Sequence, residues 1–169
     1  MHYFTNLKKI NLLLIFSVAF LLRIYKLPEL PGEWYGDISN VHEYVTEILE
    51  GKWPFYFLQS PGPVYHYLIT PIIAFLPYQG YLSYKLASVA VSIFGLFSFY
   101  VFFKEIARVK FAMAGLVLGA FSFWYLVWSR MGNSQIVIPA IWLWQSFFFI
   151  RYLRNLQLKN LVSAVISAS

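Results

Sequence analysis

Residues 82–103, LSYKLASVAVSIFGLFSFYVFF, carry a single charge, Lys85, close to their start. A helix needs about 20 mostly apolar residues to cross the hydrocarbon of a bilayer, and backbone left unpaired in lipid is costly, so this run reads as a membrane span. Three more runs have the same character, at 10–26, 111–128 and 136–153, and the beginning of a fifth starts at about residue 160. The remainder of that fifth run, LVSAVISAS, is too short to cross. Over its 169 residues the chain is 60% hydrophobic, 21% aromatic and 12% charged, whereas soluble domains hold to about half apolar. The expected fold class is all-α: a polytopic transmembrane helix bundle with an amphipathic loop helix on its outer face. Residues 1–169 would be the amino-terminal part of a longer module.

The formal net charge of +6 does not point to nucleic acid, because the basic residues sit in short clusters between apolar runs. Lys8 and Lys9 precede the first run, Lys104, Arg108 and Lys110 lie between the second and third, and Arg151, Arg154 and Lys159 follow the fourth. With four spans all three clusters fall on one side, which the positive-inside rule makes cytoplasmic. The loop 27–81 and the connection SRMGNSQ at 129–135 then face outward. Arg23 and Lys26, near the end of the first span, are expected to snorkel outward. No small-x-small cleavage site follows the first run, so it reads as a retained helix rather than a signal peptide. Residues 64–77, VYHYLITPIIAFLP, are apolar enough to suggest a further span, which would put the KEIARVK connection outside, but the run is short and holds His66 and two prolines, which better suits an interfacial or re-entrant segment. The absence of cysteine removes disulfides and thiolate chemistry.

The outer loop holds the polar chemistry. Six of the seven carboxylates lie within 27–63, and Asp37 is the only aspartate. From 38 to 50 the apolar residues Ile38, Val41, Tyr44, Val45, Ile48 and Leu49 recur at helical spacing, with His42, Glu43, Thr46, Glu47 and Glu50 on the other face. An amphipathic helix on or near the membrane surface is expected, with Asp37 as its N-cap and Gly51 at its C-terminal end. Asp37 therefore has two readings. As a cap it is worth about 1 kcal/mol; as a fixed carboxylate at a helix N-terminus, kept ionised by the dipole, it suits a general base. Glu43, Glu47 and Glu50 read as a solvated face, and Glu29 and Glu33 as parts of a proline-bounded connection. Asp37, His42 and His66 could be assembled into a metal site, but no HxxxH or HExxH spacing supports one; no protein metal ligands are assigned, and a divalent metal cofactor stays open. Lys85 and Arg130 lie at the outer ends of the second and third spans, either as snorkelling residues or as cations for a lipid phosphate.

Within the spans, Gly115 and Gly119 stand at GxxxG spacing, and Ser88, Ser92 and Gly95 share a helix face; both sets read as intramolecular packing. Trp124, Tyr125 and Trp128 form an aromatic belt at the outer end of the third span.

The order of these features, an Asp before an amphipathic helix ending EGKWPFY, then SPGPVYHYLITP, a span entered through YLSYKLAS and the outward WSRMGNSQIVIP, resembles the amino-terminal part of the GT-C membrane glycosyltransferases. That superfamily includes the protein O-mannosyltransferases and the lipid A aminoarabinose transferase. The resemblance implies transfer of a sugar from a polyprenyl-phosphate donor to a hydroxyl of a protein, lipid or glycan acceptor at the outer face of a multi-pass membrane protein, of the prokaryotic plasma membrane type. It implies Asp37 as base, with Lys85 and Arg130 near the lipid phosphate; Glu43 and His66 complete the candidate substrate-binding set. The departure is Ile38, where many relatives carry a second acidic residue; Glu43 replaces it only if the loop folds back. Two other classes stay open: a transporter or flippase fragment, and a non-catalytic membrane assembly subunit. Against transport, no span has an ionisable residue at its centre.

Overall fold

The structure, a computed structural model, describes residues 2–30, 36–55, 62–76, 80–107 and 109–167, with side chains from Ile10 on except those of residues 109 and 110. The side chains of Lys8, Lys9, Glu33, Arg108 and Lys110 thus lie outside the described residues. The described elements are α1 (His2–Ile24), α2 (Gly36–Leu49), α3 (Val64–Phe75), α4 (Tyr81–Ile106), α5 (Val109–Phe121), α6 (Phe123–Trp128), a 3-10 turn (Ser134–Val137), α7 (Ile138–Asn155) and α8 (Leu158–Ile166). No strand occurs among the described residues, so the all-α expectation holds.

Among the described residues two helical stretches are long and apolar enough to cross a membrane: Tyr81–Ile106, with mean hydropathy 2.1, and Ser134–Asn155, with 1.5. They coincide with the expected second and fourth spans. The expected third is different, because the helix closes at Ser122, whose N–H donates to the Leu118 carbonyl at 2.9 Å, and restarts as α6. With 13 residues, α5 rises only about 20 Å, less than the hydrocarbon thickness of about 30 Å.

The chain forms two compact units, each described here by itself. The first comprises Met1–Phe20, Ile93–Ser122 and Ile138–Ser169. Here the glycine pair of α5 works as expected: a methyl group at Gly115 would overlap the Phe103 ring, and one at Gly119 would meet Phe99, so the absent side chains let the phenyl rings of α4 lie on the α5 backbone. α7 and α8 form a helical hairpin that turns at Leu156, whose φ is +50°, and buries Phe147, Asn160 and Ala164. Arg154 Nη1 reaches Glu105 Oε1 at 3.0 Å and the Glu105 carbonyl at 2.9 Å. That pair ties the end of α7 to the last turn of α4.

The second unit comprises Leu21–Ser92 and Phe123–Val137. α2 forms on the periodicity described above, and its stripe Ile38, Val41, Val45 and Ile48 is buried. The stripe is covered by protein, since α2 packs on α3, so its amphipathicity serves the fold where a membrane surface was expected. The helix ends in a Schellman motif: Gly51 at φ +86° donates to the Ile48 carbonyl at 3.0 Å, and Lys52 to that of Glu47 at 3.0 Å. The small face of α4 does more than pack. Ser88 is hydrogen-bonded to the Tyr65 hydroxyl at 2.6 Å, and Ser92 accepts from Arg23 Nε at 3.1 Å.

Candidate active site around Asp37

The second unit is tied together by a loop that sequence alone would place at the surface. Where α6 passes into the 3-10 turn, Ser129, Arg130, Asn133 and Ser134 are all buried. Loops are normally exposed because their backbone groups need water, so a buried one must find partners in the protein. Gly132 makes the burial sterically feasible. Its φ is +75°, and a Cβ there would stand 3.2 Å from Tyr84 Cβ and 3.4 Å from the Tyr84 carbonyl carbon, so the loop backbone lies directly on α4.

From that anchor the loop sends two side chains to different elements. Arg130 donates to the carbonyls of Leu22 at 2.7 Å, Tyr25 at 2.6 Å and Leu30 at 3.1 Å. These carbonyls belong to the last turn of α1 and the chain just after it, where orphan acceptors and the negative end of the helix dipole favour a cation. Burial lowers the Arg130 pKa from its ordinary value, although an arginine stays protonated. Lys85 is also fully buried: Nζ donates to the Leu27 carbonyl at 2.7 Å and lies 4.3 Å from the Tyr81 ring centroid. Both cations nominated for a phosphate are thus engaged with main-chain carbonyls around the end of α1. Arg23, expected to snorkel, is turned inward instead. It has no exposed surface, bonds Ser92 and lies 5.6 Å from the Tyr125 ring centroid, because α4 and α6 offer it polar and aromatic partners inside the unit. Lys26 is exposed beside Glu29. Of the expected aromatic belt, Trp124 stays exposed while Tyr125 is buried and donates to the Ser92 carbonyl at 3.1 Å.

The second side chain is Asn133. Its Nδ2 donates to Asp37 Oδ2 at 3.1 Å. Which end of the amide faces the carboxylate is settled by the other end: Asn133 Oδ1 accepts from the Ser134 N–H and from Ser134 Oγ, leaving only the NH2 for Asp37. Asp37 itself is exposed and lies in the first turn of α2, one residue inside the helix that starts at Gly36, rather than at the expected N-cap position. A buried amide therefore fixes one oxygen of a solvent-facing carboxylate that also feels the positive end of the α2 dipole. One hydrogen bond uses one of about four lone-pair sites, so the group can still take a proton from a bound hydroxyl.

The remaining candidates do not gather on Asp37. Glu43 is exposed, but α2 is continuous from Gly36 to Leu49. Six helical residues put it about 9 Å along the axis and roughly 120° around it from Asp37. The fold-back that would pair the two carboxylates does not occur. His66 has no exposed surface; its ring meets those of Tyr44 and Tyr65 edge-on, with centroids 5.2 and 5.8 Å away. Burial pushes the imidazole down to about 4, so it is neutral at pH 7. His42, considered only as a metal ligand from sequence, is hydrogen-bonded through Nδ1 to the Tyr84 hydroxyl at 2.6 Å. Among the described residues no three His, Asp or Glu side chains come close enough together to hold a metal ion.

Asn133 was invisible as a site residue in the sequence because its role depends on a contact across 96 residues. The only available signal was the Gly-Asn pair in a short polar connection, which marks a turn. No family model, curated protein or solved structure matches the chain.

Proposed function

We propose that the chain is the amino-terminal part of a multi-pass membrane glycosyltransferase. In this reading the enzyme takes a sugar from a polyprenyl-phosphate donor and passes it to an acceptor hydroxyl, with Asp37 as general base. The observation that carries the reading is the Asp37–Asn133 pair: the only aspartate of the chain is exposed, sits at a helix N-terminus and is oriented by a buried amide. The order of sequence features, which resembles that of the GT-C superfamily, supports the reaction class. Two membrane-length helices and large exposed apolar side chains such as Phe94, Leu118 and Trp142 support a lipid setting.

The chemistry is consistent with one carboxylate. The acceptor oxygen gives its proton to Asp37 as it attacks the anomeric carbon, and the bond to the lipid phosphate breaks with its electron pair. That leaving group is already anionic, so it needs positive charge more than a protonating acid. Lys85 and Arg130 enter this reading through their charge, which bonds to neutral carbonyls do not cancel; direct contact with phosphate would require them to leave the end of α1. Glu43 stands about 9 Å along α2 from Asp37 and His66 is buried beside Tyr44 and Tyr65, so the proton transfer is assigned to Asp37 alone. The reading keeps the orientation drawn from the basic clusters, which counts residues 111–128 as a crossing and sets Asp37 on the outer face of a prokaryotic-type plasma membrane.

The test is transfer of a labelled sugar from a polyprenyl-phosphate donor by the full-length protein. Asp37→Asn keeps the shape and the Asn133 contact but removes the base, and is expected to lower kcat about 100-fold or more. Wild-type activity in this variant would remove Asp37 from the mechanism.

A further inference from the structure

α3 is apolar on both of its faces. The inner one, with Tyr65, His66, Ile69, Thr70 and Ile73, is buried in the second unit. On the opposite face Val64, Leu68, Pro71 and Phe75 recur at intervals of four, three and four residues, and all are exposed, Phe75 by 89%. The helix has no Asp, Glu, Lys or Arg anywhere in its 12 residues. The stripe is extended by the 53–55 turn. Trp53 stacks on Tyr67 with centroids 5.8 Å apart and planes 11° from parallel, and the Tyr67 hydroxyl donates to the Pro54 carbonyl at 2.7 Å. Trp53 and Phe55, held beside α3 in this way, are 77% and 82% exposed.

We propose that this face, Val64, Leu68 and Phe75 together with Trp53 and Phe55, lies in the interface of a phospholipid bilayer, so that α3 and not α2 is the element that rests on the membrane. Lipid is favoured over a protein partner by chain continuity. Only residues 76–80 separate α3 from α4, which is membrane-length, so the end of α3 stays within roughly 20 Å of the start of a span. A charge-free helix too short to cross, with Trp53 stacked on its Tyr67, has the chemistry of the headgroup boundary. α2 packs on α3. Its axis is therefore about 8–10 Å from that of α3, and α3 rather than α2 meets the lipid. The inference does not depend on Asp37 being a base.

The chain has no cysteine, so single nitroxide labels can be placed by Leu68→Cys, Phe75→Cys, Glu43→Cys and Ala90→Cys, all at exposed positions. In phospholipid bilayers the labels are read by collision with oxygen, which partitions into lipid, and with a nickel chelate, which stays in water. Labels at 68 and 75 should favour oxygen, at a depth between the aqueous label at 43 on α2 and the deep one at 90 on α4. Preference for nickel at 68 and 75, with 90 still in lipid, would overturn the proposal. Shielding from both reagents would also overturn it, by showing a protein partner on the face. A water reading at 90 as well would remove the membrane assignment itself. Val64→Cys serves as a further stripe position should one variant fold poorly.

Discussion

Gly132→Ala should destabilise the second unit more than Gly51→Ala does, and the difference measures how tightly the 129–134 loop is seated on α4. Both glycines have positive φ, +75° at Gly132 and +86° at Gly51, so each substitution forces a side chain into the left-handed region at about 1 kcal/mol. Both also gain a few tenths from a stiffer unfolded chain, which cancels between them. The surroundings differ. A Cβ at Gly51 meets nothing within 4 Å, whereas at Gly132 it stands 3.2 Å from Tyr84 Cβ, inside ordinary carbon contact of about 3.5–4.0 Å. Neither side can yield easily: Tyr84 belongs to a long helix, and the loop is held on both flanks by Arg130 and Asn133. The added cost is about 1 kcal/mol, for a total of about 2 kcal/mol at Gly132. In reversible denaturant unfolding of the protein in micelles, Gly132→Ala should lower the folding constant roughly fivefold more than Gly51→Ala. Equal losses in the two variants, or no loss in Gly132→Ala, would refute the close seating of the loop.

Arg130→Lys should not rescue Arg130→Gln, because a lysine cannot reproduce three bonds from a planar fork; both should cost about 3 kcal/mol in the same unfolding assay, and a full rescue by lysine would reduce Arg130 to a mere charge. Asn133→Ala should lower kcat at an unchanged donor KM, and Asn133→Asp should lower it further by setting a second carboxylate against Asp37; kcat equal to wild type in both would make the amide contact irrelevant. His66 gives a pH dependence of stability. Its folded value of about 4 lies below the unfolded value of about 6.5, so below pH 6.5 the unfolded state binds the extra proton. Stability is fully present above pH 6.5 and falls toward pH 4 by up to about 3 kcal/mol; His66→Phe, which keeps a ring between Tyr44 and Tyr65, should flatten that part of the curve.

The sequence was most readable where local periodicity decides the structure. The α2 stripe, the terminating Gly51 and the α4 run depend on neighbours within a few turns, and each formed with nearly the expected bounds. The Gly115 and Gly119 pair could be read in the same way, since the absence of a side chain predicts close packing whatever the partner. What could not be read was the direction taken by long polar side chains. Arg23, Lys85 and Arg130 all lie near run ends, where outward snorkelling is the ordinary expectation, yet each is buried by partners 58 to 108 residues away in sequence. The use of the two loop helices was only half readable: α2 has the amphipathic pattern of a surface helix but buries its stripe in the second unit, while α3 buries one face and leaves Val64, Leu68 and Phe75 exposed. Asp37 stood out because it is the only aspartate, but the amide that orients it required the fold.

Sugar transfer by Asp37→Asn set beside Asp37→Glu tests the central claim most directly, with labelled polyprenyl-phosphate donor and saturating acceptor. A base held in place by Asn133 predicts loss of about 100-fold or more in the asparagine variant and partial activity in the glutamate variant, with donor KM little changed in both. Full transfer by the asparagine variant would contradict it and leave Asp37 as a residue that serves only the first turn of α2.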